Sequence, residues 1–164
     1  MSITVDDNTK FLINLISVDN CEAYLTGGSL INMIINNSPL SYTEIITNST
    51  KHIALGRLIS YGYYITGFDD IIGAEKYIND ADFTINKALA DINGELTADI
   101  SALHDINAKI IKCAKSPEEC FEHNKISKVK AIRYISELTG FELDNKTYEY
   151  IKAHPGLEGV DKKH

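Results

Sequence analysis

A Gly-Gly-Ser turn near the N-terminus is the first candidate for binding chemistry. Gly27, Gly28 and Ser29 follow a short apolar run at 22–26 and precede residues spaced as in a helix. Backbone N–H groups at the start of a helix can hold a phosphate. A tight structural turn would have the same sequence, so both interpretations stay open at this point.

A basic segment at 109–133 is the second candidate. It carries seven Lys and Arg against three Glu, whereas the chain as a whole has a net charge of −7. An acidic body repels a polyanion at long range, but a local basic cluster can still neutralise phosphates. Lys130 and Arg133 are three residues apart on one predicted helix face, where they could hold phosphate or merely cover that face.

Cysteine and histidine side chains could in principle form a zinc site from His104, Cys113, Cys120 and His123. Cys120 and His123 have a plausible ligand spacing, but the other two spacings match no common zinc site. The odd number of cysteines, three, indicates reduced thiols rather than a disulfide framework. We therefore expect no metal at these residues.

The hydrophobic pattern predicts the elements that position these residues. Strands are predicted at 22–26, 42–47, 61–66, 83–89 and 95–100. The last two strands form a hairpin, for which Asn93 and Gly94 predict a primed turn. Helices are predicted at 30–35, 52–60, 116–140 and 145–151.

Two of the predicted helices have an apolar period. An N-terminal helix begins at Asp7 or Asn8, either of which can cap it. Its apolar face is formed by Phe11, Leu12, Leu15 and Ile16. The helical period within 116–140 is formed by Ile126, Val129, Ile132, Arg133 and Ile135.

The pattern as a whole predicts an α+β chain with a mixed sheet and flanking helices at 1–115, a short helical extension at 116–153 and a polar tail at 154–164. Hydrophobic residues are 44% and charged residues 24%, which excludes a disordered or fibrous chain. No apolar run approaches the roughly 18 residues of a membrane span. The N-terminal MSITVDDNTK has no signal-peptide pattern, so we expect a cytoplasmic protein.

Three segments in order resemble the tRNA nucleotidyltransferase and bacterial poly(A) polymerase family. AYLTGGSLINMII at 23–35 resembles the family's AYLVGGAVRDLLL, and DADFTINKALADINGEL at 80–96 resembles RRDFTINALAYDPDGEL. Residues 101–144 resemble the stretch that follows, which includes a Pro-Glu-x-x-Phe helix and EDPLRILRAIRFAARLGFELD. The resemblance covers residues 20–153.

This resemblance implies a nucleotidyltransferase head followed by the start of a helical neck. It also implies transfer of a nucleoside monophosphate from ATP or CTP to an RNA 3′ hydroxyl, with two Mg²⁺ ions held by an Asp-x-Asp pair on one strand. Strand alternation puts both carboxylates on the same face. Asp82 and Asn86 match family residues near the sugar and base, although hairpin hydrogen bonding is an alternative role for them.

The chain departs from the family where the metals would bind. Tyr42 and Glu44 stand at the positions of the acidic pair. A phenol is protonated at neutral pH and binds magnesium poorly, so Glu44 alone would leave the ions under-ligated. Further charged positions of the family are replaced in the late helix by Asn124, Ser127 and Lys130. The pattern indicates a domain that has kept its core and lost its catalysis.

We therefore expect a catalytically degenerate head domain that acts as a regulatory module by binding a nucleotide, a tRNA-like RNA, or a host or cognate protein. Its nucleotide contacts would come from Gly27, Gly28, Ser29, Asp82, Asn86, Lys130 and Arg133. One alternative is an active minimal RNA nucleotidyltransferase that uses Glu44 with Mg²⁺ and ATP or CTP. Another is a small acidic phage-type inhibitor or decoy of a host nucleic-acid system.

Overall fold

The computed structural model describes residues 1–17, 22–38, 40–48, 63–67, 73–123 and 126–156. The chain divides into two compact units. The first unit comprises Met1–Asp80 and Lys87–Asp99, and the second comprises Ala81–Asn86 and Ile100–His164. This division does not test the domain limits predicted at residues 115 and 153, which stay predictions.

The first unit contains a five-stranded mixed sheet, which confirms the predicted α+β class. Its strands are β1 (Ala23–Thr26), β2 (Thr43–Thr47), β3 (Tyr63–Gly67), β4 (Ala88–Ala90) and β5 (Leu96–Ala98). They are arranged in the order β3-β2-β1-β4-β5. β2 and β3 are parallel, and the other neighbouring strands are antiparallel. In the β1–β2 pair, Glu44 lies opposite Thr26, the last residue of β1.

Three helices of the first unit are described, α1 (Asp7–Ile16), α2 (Gly27–Asn36) and α3 (Gly73–Asp80). The helix predicted at 52–60 lies outside the described residues, and α3 was not predicted. The cap of α1 is Asp6 rather than Asp7 or Asn8, because Asp6 Oδ1 accepts the N–H of Thr9 at 3.0 Å. None of the described helices is both long and apolar enough to span a bilayer.

The buried face of α1 is rotated from the predicted one. Phe11 and Leu15 are 65% and 42% exposed, so the prediction was wrong for them and right for Leu12 and Ile16. Residues 9, 12, 13 and 16 follow the i, i+3, i+4, i+7 spacing of one helical stripe. The core cluster at this stripe contains Leu12, Ile13, Ile16, Ala23 and Ile45.

β4 and β5 form the predicted hairpin, but the primed turn was wrong. Within the turn only Gly94 has a positive φ, +81°, whereas a primed type I turn needs two such residues. The Asp91 side chain explains the difference, because its Oδ1 accepts the N–H groups of Asn93 and Glu95 at 2.8 and 2.9 Å. With these bonds in place, the turn needs a positive φ only at Gly94.

The second unit is mainly helical. It contains a 3-10 helix (Thr84–Asn86), α4 (Ile100–Ala108), β6 (Ile110–Ile111), α5 (Pro117–His123), α6 (Ile126–Glu137), β7 (Glu142–Leu143) and α7 (Asn145–Ala153). β6 and β7 form a parallel pair. Its fully buried side chains include Phe83, Ile106, Ile111, Tyr134 and Leu138.

The first half of the strand predicted at 83–89 is wrong. Thr84–Asn86 form the 3-10 helix, and the strand begins only at Ala88. The Thr84 hydroxyl donates to Asp105 Oδ2 at 2.6 Å, and the Thr84 N–H donates to the Lys112 carbonyl at 2.9 Å. These partners belong to the second unit, so the segment turns away from the strand path.

The helices predicted at 116–140 and 145–151 are present as α5, α6 and α7. The residues that supplied the period of α6 do not form its buried face, because Val129, Ile132 and Ile135 are 38%, 50% and 41% exposed. The helix instead buries Ala131 and Tyr134, and Leu138 directly after it is also buried.

Candidate functional site

The predicted phosphate-binding turn joins β1 directly to α2. Gly27 begins the helix with φ of +64°, a conformation that favours glycine. A Cβ atom at Gly27 would lie 1.8 Å from Glu44 Oε2. Glycine at this position therefore permits both the backbone turn and the close approach of the Glu44 carboxylate.

The Glu44 side chain binds the first turn of α2. Its Oε2 accepts the Gly28 N–H at 2.5 Å, and the Glu44 N–H donates to Ser29 Oγ at 2.7 Å. The Ser29 hydroxyl in turn donates to the Thr26 carbonyl at 3.3 Å. A carboxylate of the chain itself thus satisfies a backbone donor that a bound phosphate would use. The phosphate-binding role of Gly27, Gly28 and Ser29 stays a prediction, and any phosphate would have to compete with Glu44.

Tyr42 and Glu44, the residues that match the acidic pair of the family, lie close together along the chain at the start of β2. Tyr42 directly precedes β2, and Glu44 lies on β2 two residues later. Within the described part of the chain, no group of three His, Cys, Asp or Glu side chains could hold a metal ion. Glu44 can supply one carboxylate, and an oxygen of that carboxylate accepts the Gly28 N–H.

Asp82 and Asn86 lie in the second unit. Asp82 directly precedes Phe83, and Asn86 is the last residue of the 3-10 helix. Asn86 is 1% exposed, and its Nδ2 donates to the Tyr134 hydroxyl at 2.9 Å. Among the described residues, no group donates a hydrogen bond to Asn86 Oδ1. The Asp82 carbonyl accepts the Ala114 N–H at 2.8 Å. The nucleotide contacts predicted for Asp82 and Asn86 stay predictions, and Asn86 also has a clear packing role.

Tyr134 brings together three of the predicted site residues. Besides the Asn86 amide at its hydroxyl, the ring has Lys130 Nζ at 5.8 Å and Arg133 Cζ at 5.4 Å from its centroid. Both distances are within the range of cation–π contact. Arg133 Nε also lies 3.7 Å from Glu137 Oε2. Tyr134 itself was missed, because its spacing from Ala131 is helical but does not by itself show that this face of α6 is the buried one.

The chain is similar to CCA-adding enzymes in sequence and in fold. It is 26% identical over 167 residues to the CCA-adding enzyme of Lactobacillus helveticus, an alignment that covers 83% of this chain and 42% of that enzyme. Its fold matches the Bacillus stearothermophilus CCA-adding enzyme solved with CTP, with a TM-score of 0.68, 19% identity, and coverage of 87% and 42% of the two chains.

The fold also matches the Thermotoga maritima CCA-adding enzyme complexed with tRNA, with a TM-score of 0.65, 16% identity, and coverage of 91% and 42%. The chain spans about two fifths of the length of each of these three proteins. No protein-family model matches the chain. These similarities confirm the resemblance that the sequence motifs indicated and the mixed-sheet head fold that it implied.

Replacing Glu44 tests its hydrogen bond to α2. We expect Glu44→Ala to lower the free energy of unfolding by about 1–3 kcal/mol, because Gly28 loses a charged acceptor. Glu44→Gln keeps an acceptor oxygen and should lose less. Urea unfolding measures both, and the Gly28 amide proton should shift upfield in Glu44→Ala. Equal stabilities of all three proteins would contradict the contact.

Replacing Tyr134 tests the buried bond to Asn86. Tyr134→Phe keeps the ring and leaves Asn86 Nδ2 without its hydroxyl partner, so we expect the unfolding free energy to fall by about 1–3 kcal/mol. Tyr148→Phe is the matched control, because Tyr148 is 50% exposed and its change should stay within about 0.5 kcal/mol. A cost no larger than the control's would show that the bond does not stabilise the fold.

Proposed function

Because this chain belongs to the tRNA nucleotidyltransferase family, which includes the CCA-adding enzymes, we propose that it is a catalytically degenerate head domain. In this role it binds tRNA-like RNA and does not extend it. The proposed activity is regulatory, since an RNA held by this chain is withheld from an active relative.

The observation that carries the proposal is the state of the metal-binding positions. Nucleotidyl transfer builds charge on the attacking and leaving oxygens, and two divalent ions must stabilise both. Magnesium takes hard oxygen ligands, mainly carboxylates and phosphates. Here one position is Tyr42, and the carboxylate at the other, Glu44, accepts the Gly28 N–H. One carboxylate in place of two, already hydrogen-bonded to the backbone, supports the proposal that nucleotidyl transfer is lost.

RNA binding is supported by charge and by the relatives. The segment 109–133 has a net charge of +4 in a chain of net −7. Within it, Lys130 and Arg133 lie beside the Tyr134 ring. The relatives that share this fold were solved with CTP and with tRNA. Lys130 and Arg133 are the residues that we propose contact phosphates.

A transfer assay tests the catalytic half of the proposal. The chain is incubated with labelled CTP or ATP, Mg²⁺ or Mn²⁺, and a tRNA that lacks its 3′ end, beside a full-length CCA-adding enzyme as the positive control. We expect no incorporation above background, because the chain lacks the carboxylate pair that would bind the two metal ions. Incorporation that Glu44→Ala abolishes would contradict the proposal and support the active alternative.

An RNA-binding titration tests the other half. Lys130→Ala/Arg133→Ala should weaken binding of a labelled tRNA-like RNA at least about tenfold and reduce the salt dependence of the affinity. Lys152→Ala is the control, since Lys152 Nζ lies 5.9 Å from the Tyr148 ring and makes a similar cation–π contact. Fluorescence anisotropy measures each affinity. Absence of RNA binding, or equal losses in both variants, would overturn this role and leave a protein partner.

A further inference from the structure

A cleft in the second unit is lined by the segment that follows β6 and by helix α7 with its cap. The cleft has a volume of about 660 Å³, which is within the usual range of small-molecule sites. All of its lining residues belong to 112–118 or to 144–154. None of the residues to which the family resemblance assigned nucleotide contacts lines it. The cleft is therefore a separate feature of the second unit.

Hydrogen bonds join the two walls of the cleft. The Cys113 N–H donates to Thr147 Oγ1 at 3.3 Å, and the Asp144 N–H donates to the Ile111 carbonyl at 3.0 Å. The Asp144 carboxylate accepts the Thr147 N–H at 3.1 Å and so caps α7. Thr147 is fully buried. These bonds belong to the fold itself, so a ligand would not have to order the walls in order to bind.

Two of three stacked rings line the cleft. The Tyr150 ring centroid lies 4.2 Å from that of His154 and 5.4 Å from that of the buried Phe121, with the planes within 22° of parallel. A carbonyl oxygen can only accept a hydrogen bond, so His154 Nδ1 donates to the Tyr150 carbonyl, at 2.9 Å. His154 is the exposed end of this series. A flat ring of a ligand can stack on such a platform.

Three exposed lysines also line the cleft, Lys112 and Lys115 from one wall and Lys146 from the other. Within the described part of the chain, none of the three forms an ion pair. A lysine ammonium group binds phosphate as a point charge with three donors. The cleft thus combines a surface for a flat ring with cations for a phosphate.

Carboxylates limit the charge that the cleft can accept. Asp144 lines it as the cap of α7, and the exposed Glu118 and Glu149 line it as well. Their three negative charges offset those of the three lysines. One phosphate group can approach the ammonium groups, whereas the additional phosphates of a triphosphate would be repelled by the carboxylates. The balance favours a ligand with a single phosphate.

We propose that this cleft binds a nucleoside monophosphate unit, with its base stacked on His154 and its phosphate among the three lysines. The unit can be a free nucleotide or the phosphorylated end of an RNA strand, because both present the same chemistry. The combination of a ring platform and three ammonium groups in one cleft carries this inference. It does not require the proposed function, whose phosphate contacts are Lys130 and Arg133.

An NMR titration of the full chain with AMP, in EDTA to remove metal ions, locates the site. We expect the amide shifts to concentrate at 112–118 and 144–154. Ribose 5-phosphate lacks the base and should bind at least about fivefold more weakly, the loss of one stacked base. ATP should bind less than about fivefold more tightly than AMP, because its additional charge meets the carboxylates.

Three results of this titration would overturn the proposal. The first is the absence of shifts in these two segments at millimolar AMP, including the case in which shifts occur only on α6, around Lys130 and Arg133. The second is equal affinity for AMP and ribose 5-phosphate. The third is a larger gain for ATP than the stated limit.

Variants with matched controls test the two halves of the site. Lys146→Ala should weaken AMP binding about threefold, because a charged contact to phosphate is lost. Lys152→Ala, on the same helix but outside the cleft, should leave the affinity unchanged. His154→Ala should weaken binding at least about fivefold, and His154→Phe, which keeps a ring, should retain most of it. Equal affinities within either pair of variants would contradict the assigned contacts.

A second titration distinguishes the two sources of the nucleotide. The probe is an adenylate hexamer with a 5′ phosphate, which presents the same unit at the end of an RNA strand. A hexamer that binds more tightly than AMP, and that His154→Ala weakens, would identify an RNA end as the occupant. A hexamer that binds no more tightly than AMP would identify the free nucleotide. If neither probe shifts the amides of the cleft, the proposal is wrong.

Discussion

The hydrogen bond between the Glu44 carboxylate and the Gly28 N–H ties the central strand pair to the start of α2. The antiparallel register puts Glu44 opposite Thr26, the residue that directly precedes the helix. A helix N-terminus has unpaired N–H groups and a partial positive charge, and a carboxylate satisfies both. Gly27 allows this approach because it has no side chain to meet Glu44 Oε2.

Through this contact, the Glu44 carboxylate has a structural partner. The family resemblance implies that a carboxylate at this position would instead bind the metal ions that hold the triphosphate. The proposed loss of catalysis therefore requires no disruption of the fold. Another residue of the family pattern has a structural partner in the second unit, where Asn86 is buried and donates a hydrogen bond to the Tyr134 hydroxyl. On the proposed function, residues of the family pattern persist where they pack, while charges that would handle phosphate are reduced.

Local patterns in the sequence predicted most elements, because strands and turns of this chain have strong signals. The Gly27-Gly28 turn and the helix predicted from residue 116 are examples, and the Ser116 hydroxyl oxygen accepts the Glu119 N–H at 3.2 Å, as a helix cap does. The sequence was a weaker guide to which face of each helix is buried than to where the elements lie. Phe11 and Ile132 have the same hydrophobic character as their buried neighbours, and only tertiary packing decides between them.

The site was predictable in its residue types but not in its contacts. Tyr42 and Glu44 could be placed by spacing and by the family resemblance. The bond from Glu44 to Gly28 spans 16 residues and depends on strand register, which periodicity alone does not specify. Likewise, Tyr134 meets Asn86 across 48 residues, and no local pattern links the two.

The proposed loss of the two-metal site can be tested most directly with crystals soaked in CTP and Mn²⁺. Anomalous scattering at the manganese edge would locate the ions. We expect no pair of manganese peaks about 3.5–4 Å apart beside β2, with Glu44 still bound to the Gly28 N–H. Two such peaks coordinated by Glu44 would contradict the proposal that this chain has lost nucleotidyl transfer.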